Sequence, residues 1–258
     1  PEFIDQCPGI DRALGMNDID TYEYDEVIRF DYESGAWRDH PITWIEEMAR
    51  QANIKIPAKR VLRPTSFFTD LDRERLSPLA KHFQKNNWIA ISTGAGWFEK
   101  QWTNLKWDEL SDSLIGEGYN LVQIGGGGDY VLRNAEQFLN LPLAENLTIL
   151  QHSRAAILLD SFPLHLAMCV QTPTIFLSCK TCRHTGYLTP EIVQLRHTDI
   201  AKTPLPTCRT LGCRLKFGNA TENSCLAPIL HELPTGVVIA ALKNLLRKKR
   251  RTKIREQA

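Results

Sequence analysis

No apolar run in this sequence approaches the roughly 18 to 20 residues that a membrane-spanning helix requires. The longest clear apolar stretch is Val-Val-Ile-Ala-Ala-Leu at residues 237–242, which is far too short. No secretory signal peptide is recognisable, so a cytoplasmic location is expected. The chain starts at Pro1 without an initiating Met, and we expect it to be the interior of a longer protein.

A strong net charge is also missing, because 31 basic and 30 acidic residues leave a formal charge of +1. Residues 247–258 hold seven basic residues and one acidic residue, so they carry +6 and the rest of the chain carries −5. A body of that charge argues against an enzyme acting on nucleic acid, which would need a basic groove. The basic tail, residues 246–258, has two interpretations: contact with anionic lipid headgroups at the inner membrane, or a solvated, frayed C-terminus.

Cysteines are few, seven in all, but five of them fall within residues 179–225. An odd number without a secretion signal argues against a disulfide scaffold. A Cys-x-x-Cys pair directly after an apolar segment, followed by further cysteines among Pro, Gly and Asn, makes a tetrahedral Zn or Fe site feasible. A disulfide and unligated thiols are the alternatives. The expected ligands are Cys179, Cys182, Cys208 and Cys225, with Cys213 as the first substitute and His184 and His197 as competitors.

Short apolar segments alternate with helical spacing through most of the chain, which predicts an α/β fold with a parallel, doubly wound sheet. Strands are predicted at residues 22–32, 88–92, 120–124, 155–159 and 174–177. Helices are predicted at residues 41–53, 76–86, 107–117, 130–139 and 162–170. Residues 55–70 have the composition of a linker. We therefore divide the chain into a partial N-terminal domain at residues 1–69, a Rossmann-like domain at residues 70–245 and the basic tail.

Three polar motifs follow predicted strands, at the sheet edge where doubly wound folds bind ligands. The first, Ser-Thr-Gly-Ala-Gly at residues 92–96 followed by Lys100, suits an anion, although a glycine turn with a surface lysine would look the same. The second is four glycines and Asp129, whose carboxylate could accept bonds from ribose hydroxyls. The third runs from Asp160 through Ser161 to His165 and predicts a capped helix start facing a diphosphate. Its alternative is a capped helix with a packed histidine.

The order of these motifs, ending in Thr-Pro-Thr at residues 172–174, resembles glycosyltransferase family 9, the heptosyltransferases of bacterial surface polysaccharide. The similarity covers residues 88–178, and more weakly extends to residue 245. It implies a GT-B fold whose C-terminal domain binds a nucleotide sugar, commonly ADP-heptose. Carried over residue by residue, it implies phosphate contacts for Thr93 and Lys100 and a position near the ribose for Asp129. The residues that would line the diphosphate and sugar pocket are Asp160, Ser161 and His165.

The sequence departs from the family in two places. Phe162 stands where the family usually has Gly, and its bulk is expected to change or block the approach of phosphate to the backbone. The family's catalytic carboxylate lies on a glycine-containing loop near the start of the N-terminal domain, and nothing in residues 1–69 matches that loop. The general base is therefore unassigned. Candidates by residue type alone are Asp5, Asp11, Asp18 and Asp20.

The expected activity is inverting transfer of a heptose-like sugar from a nucleotide-diphosphate sugar to an acceptor hydroxyl on a glycan or protein. The resemblance implies no catalytic metal for that step. The cysteine cluster is similar to the iron-bearing motif of the autotransporter heptosyltransferases, a branch of the same family, and a homo-oligomer is a further expectation. Two alternatives stay open: a non-catalytic nucleotide-sugar-binding or assembly module, and another GT-B enzyme such as a sugar-nucleotide epimerase.

Overall fold

The computed structural model describes residues 49–55, 74–84, 87–96, 100–178, 190–196 and 229–256. The predicted strand at residues 22–32 and linker at residues 55–70 lie outside these ranges, apart from Lys55, and so do the five clustered cysteines. Of the predicted helix at residues 41–53, residues 49–53 are described; residues 49–51 are helical and residues 52–53 form a turn. Within the described ranges, no helix has the length and apolar character needed to cross a bilayer.

Among the described residues, six parallel strands form one sheet in the order β3-β2-β1-β4-β5-β6, which confirms the predicted doubly wound fold. From β1 the chain builds outward to β3, and it then returns to place β4 on the other side of β1. Ligands bind in such folds where the strand order reverses, here at the carboxyl ends of β1 and β4. The strands are β1 (Trp88–Ile91), β2 (Asn120–Gly125), β3 (Glu136–Leu139), β4 (Ala155–Leu159), β5 (Thr174–Ser178) and β6 (Ile192–Arg196).

Helices cover both faces of the sheet, which explains why the central strands are apolar throughout instead of alternating. Ile89 and Ile91 face the layer that contains α2 and α5, whereas Trp88 and Ala90 face the layer that contains α1, α3 and α4. A short 3₁₀ helix, Ile229–Glu232, precedes α5. The helices are α1 (Ser77–Gln84), α2 (Asn104–Gly116), α3 (Leu143–His152), α4 (Phe162–Cys169) and α5 (Thr235–Glu256).

The predicted helix at residues 130–139 is wrong, because residues 136–139 form the edge strand β3. Backbone pairing explains the difference: Val122 to Gly125 of β2 lie opposite this segment in parallel register. The amide of Leu132 also donates to the side-chain oxygen of Gln123 (2.8 Å), which holds the preceding loop against the strand ends. These tertiary hydrogen bonds outweigh a weak local preference for helix.

One of the two interpretations of the basic tail, residues 246–258, was a solvated and frayed C-terminus. The backbone is instead helical up to Glu256, where α5 ends.

The start of α5 is bound to α2 and to the segment that precedes α2. The indole of Trp102 donates to the carbonyl of Leu233 (3.1 Å), and the hydroxyl of Thr235 donates to Glu109 (2.7 Å). Trp102 is only 3% exposed, and it therefore fixes the short segment that carries Lys100.

Candidate nucleotide-sugar site

A cleft of about 490 Å³ lies at the carboxyl end of the sheet, where β1, β2 and β4 stop. Its polar part comes from the loops after β1 and β2 and from the start of α4. Its apolar part comes from the start of α3 and from α4. The lining residues are Ser92, Gly94, Ala95, Gly96, Gly125, Gly126, Asp129, Leu141, Leu143, Asn146, Ser161, Phe162, Pro163 and Leu166.

Two of the glycines in this cleft, Gly94 and Gly125, make room for the carboxylate of Asp129, which folds back over them. A Cβ on Gly94 would lie 1.8 Å from an oxygen of Asp129, and a Cβ on Gly125 would lie 2.1 Å from the other. Gly125 also has φ +147°, which L-residues rarely adopt. The carboxylate accepts a hydrogen bond from the amide of Gly126 (2.9 Å). Asp129 therefore lies in the cleft and closes the glycine loop on itself, while its position near a ribose stays a prediction.

Two hydroxyls in the cleft have no hydrogen-bond partner among the described residues. Ser92 is 1% exposed, and its oxygen is buried beside Gly125. Ser161 holds the N-cap position of α4, but its side chain makes no capping bond, and its oxygen is also buried and unpaired. A buried hydroxyl without a partner costs about 1 to 3 kcal/mol. Because both line the cleft, these hydroxyls can pair with water or with a bound ligand.

Thr93 lies beneath the cleft and is engaged within the protein. Its hydroxyl donates to the carbonyl of Tyr130 (2.7 Å) and accepts from the amide of Gln123 (3.1 Å). Gln123 is fully buried, and its amide also donates to Tyr130 (2.6 Å). This network ties the loop after β2 to the end of β1, and it holds Asp129, the neighbour of Tyr130, over the glycines.

A charged group borders the cleft at the start of α4. Lys100 forms an ion pair with Asp160 (2.8 Å), and both side chains are about four-fifths buried. His165 lies one turn into α4, and the charges of both Lys100 and Asp160 affect its pKa. Burial lowers the pKa of His165, Asp160 raises it and Lys100 lowers it. The positive end of the α4 dipole adds to this field. Asp160 connects the group to Ser161, its neighbour in the chain, which lines the cleft.

Asp129 and Ser161 thus share one cleft, and Lys100, Asp160 and His165 cluster next to Ser161. Ser92 belongs to the motif at residues 92–96 that was predicted to suit an anion, although it was not among the individually predicted site residues, and the apolar wall of Leu141, Leu143 and Leu166 was not predicted. The polar residue after the apolar run of β1 was an available signal for Ser92. No local signal marked Leu141 and Leu143, because they follow the segment that was predicted to be a helix.

The predicted metal ligands cannot be placed in the site. All five cysteines and His184 and His197 lie outside the described residues. Within the ranges that the structure describes, no group of three or more His, Cys, Asp or Glu side chains could hold a metal ion.

The strand order and the strand-end cleft define a Rossmann-type α/β domain. Residues 62–205 match glycosyltransferase family 9 (heptosyltransferase), and the chain belongs to that family. No curated protein shows significant sequence similarity to the chain.

Solved structures with the same fold include the ADP-heptose LPS heptosyltransferase II of E. coli, at 17% identity and a TM-score of 0.59, covering 81% of this chain and 63% of that one. A glycosyl transferase family 9 protein from Veillonella parvula DSM 2008 is 14% identical with a TM-score of 0.58, covering 79% of this chain and 60% of that one. This chain therefore spans about three fifths of the length of these structures. At these identities the similarity establishes the fold, and the predicted GT-B architecture is confirmed.

The iron-containing heptosyltransferase TibC, solved with ADP-D-beta-D-heptose, is 20% identical with a TM-score of 0.49, covering 78% of this chain and 52% of that one. Membership of the autotransporter branch stays a prediction.

Proposed function

We propose that the cleft binds the nucleoside diphosphate of a nucleotide sugar, and that the whole protein transfers the sugar, a heptose-like one, to an acceptor hydroxyl. The observation that carries this proposal is the pair of buried hydroxyls of Ser92 and Ser161, which line the same glycine-containing cleft and have no partner among the described residues. Hydroxyls, glycine amides and a helix start together suit phosphate oxygens. The family name, heptosyltransferase, agrees with this ligand.

The proposed reaction inverts the anomeric carbon. The acceptor oxygen attacks that carbon from the face opposite the diphosphate, and the carbon–oxygen bond to the diphosphate breaks. The nucleoside diphosphate leaves with the bonding electrons, and the proton of the acceptor passes to a base outside the described residues. Lys100, the two hydroxyls and the start of α4 stabilise the charge that develops on the leaving group, which is the main contribution available to such a site.

The charged group next to the cleft has a defined part in this scheme. Lys100 is already paired with Asp160, so the two charges nearly cancel before the ligand binds. A doubly charged diphosphate competes with Asp160 for the ammonium group of Lys100. The diphosphate binds Lys100 most strongly when the carboxylate of Asp160 turns away from it and toward a sugar hydroxyl. Burial lowers the pKa of His165 and so favours its neutral ring, which has one donor and one acceptor nitrogen beside the sugar.

Calorimetric titration with ADP-, UDP- and GDP-linked sugars tests the binding step, and transfer to an acceptor by the full-length protein tests the reaction. We expect one nucleotide per chain and a new glycosidic bond. Binding without transfer would favour the assembly module, and release of a free sugar or epimer without an acceptor would favour the epimerase. Absence of binding to every nucleotide sugar would contradict the proposal.

A further inference from the structure

The cleft has an apolar half that diphosphate chemistry does not explain. Leu141 and Leu143 line it from the α3 side, and Phe162, Pro163 and Leu166 line it from α4. Helices α3 and α4 pack against each other, so these side chains form the mouth between the two helix starts.

Phe162 is the exposed member of this apolar half. Its side chain is 61% exposed, although Leu164 and Ala167 of the same short helix are fully buried. It is the first residue of α4, and Leu166 follows it by four positions on the same face, so the two form one continuous apolar strip along the cleft. Large exposed apolar side chains that line a concave site mark a surface that a ligand covers.

The opposite rim is held rigidly. The side-chain amide of Asn146 donates to the carbonyls of Leu141 (2.9 Å) and Pro142 (3.0 Å), which fixes the turn that presents Leu141 and Leu143. Phe162 lines the same cleft as this preformed apolar rim. A flat group bound in this half of the cleft would contact apolar side chains from both helix starts.

A ligand that fills both halves must have an anionic end and a flat, apolar-faced end. A nucleoside diphosphate has both, because its aromatic base has two flat apolar faces, whereas the C–H patches of a sugar ring are smaller and are bordered by hydroxyls. Resting on the proposed function, we propose that Phe162 packs its ring against the nucleobase of the bound nucleoside diphosphate and thereby contributes to nucleotide affinity. The side chain then acts as an aromatic wall for the base instead of blocking the phosphate, which is the opposite of the expectation from its bulk.

The experiment measures dissociation constants of ADP and of inorganic pyrophosphate for the wild type and four variants. Phe162→Ala and Phe162→Leu remove the ring, Phe162→Tyr keeps it, and Leu105→Ala serves as the matched control, since Leu105 is 78% exposed on α2 and does not line the cleft. Loss of stacking weakens base binding by roughly five- to a hundredfold. We expect that loss for ADP in the Ala variant, a smaller loss in the Leu variant, and near-wild-type affinity in the Tyr variant and the control.

Pyrophosphate, which has no base, should bind all five proteins alike. Equal ADP affinity for the wild type and Phe162→Ala would overturn the inference while leaving the proposed function intact, and so would tighter ADP binding by Phe162→Ala. A loss seen equally with pyrophosphate would also overturn it, because the ring would then act on the phosphates. Absence of ADP and ADP-sugar binding by the wild type itself would instead contradict the proposed function.

Discussion

Substitution of Ser92 by Ala separates a ligand-binding hydroxyl from a structural one, because the two roles predict opposite effects on stability. The hydroxyl is 1% exposed and has no partner among the described residues. The folded protein without ligand therefore carries the cost of a buried unpaired polar group, about 1 to 3 kcal/mol. Removing one oxygen leaves almost no cavity, so Ser92→Ala should keep or raise the free energy of unfolding, by up to about 1 kcal/mol.

Binding should change in the other direction. A hydrogen bond to a charged phosphate oxygen contributes about 1.5 to 3 kcal/mol, so Ser92→Ala should weaken the affinity for the nucleoside diphosphate by roughly ten- to a hundredfold. Urea unfolding measures the first quantity, and calorimetric titration with ADP measures the second. The combination of unchanged or higher stability with weaker binding is the signature that a structural role would not produce.

Ser111→Ala is the matched control. Ser111 is 2% exposed, but its hydroxyl donates to the carbonyl of Asp108 (2.9 Å) and lies on α2 outside the cleft. Its loss should lower the free energy of unfolding by about 0.5 to 1.5 kcal/mol and leave the affinity unchanged. The reasoning is refuted if Ser92→Ala behaves like Ser111→Ala, with lower stability and wild-type binding.

Four further predictions follow from the same geometry. Lys100→Ala should weaken ADP binding about tenfold or more, since it removes the cation and leaves a carboxylate beside the diphosphate. Gly94→Ala should lower the free energy of unfolding by about 1 to 2 kcal/mol, because the new Cβ displaces Asp129 from its amide partner; introduced into Asp129→Ala, the same substitution should cause little further loss. The free energy of unfolding should decrease as the pH is lowered below about 6.5, and this decrease should be less steep in His165→Gln. The purified protein should carry about one Zn or Fe per chain by elemental analysis, with the ligands Cys179, Cys182, Cys208 and Cys225.

The controls for these predictions come from the same chain. Lys243, paired with Glu117 on the α2–α5 side, is the control for Lys100, and its replacement by Ala should not change ADP binding. For Gly94, additive losses in the double variant would show that Asp129 is not the obstacle. Metal-free protein with fully reactive thiols would reject the cysteine site.

The sign of the pH effect follows from the direction of the pKa shift. Burial lowers the pKa of His165 in the folded protein. Its contribution to stability is therefore complete above the unfolded value of about 6.5 and is lost as the pH falls through the lower folded value. An identical pH slope in the wild type and His165→Gln would contradict the account.

Sequence patterns were sufficient for the parts of the fold that depend on local order. The apolar runs of β1, β4 and β5 are buried on both faces, so each appears as an uninterrupted run, and the strand boundaries were predicted within about one residue. The polar motifs were placed at strand ends for the same reason, since every parallel strand ends at the same edge.

The errors arose where long-range contacts decide the structure. Edge strand β3 is half exposed and weakly patterned, and only its pairing with β2 defines it. The apolar rim at Leu141 and Leu143 follows from that pairing, so it could not be predicted either. The unpaired state of the Ser92 hydroxyl depends on which side chains surround it in space, and no sequence motif reports that.

We propose that the diphosphate of a nucleotide sugar lies in the cleft between the ends of β1 and β2 and the start of α4. A crystal structure of the protein with ADP or an ADP-sugar tests this position directly. Phosphate oxygens should lie within hydrogen-bonding distance of the hydroxyls of Ser92 and Ser161, with the base beside Phe162. Phosphate density elsewhere on the protein, with both hydroxyls still unpaired, would contradict it.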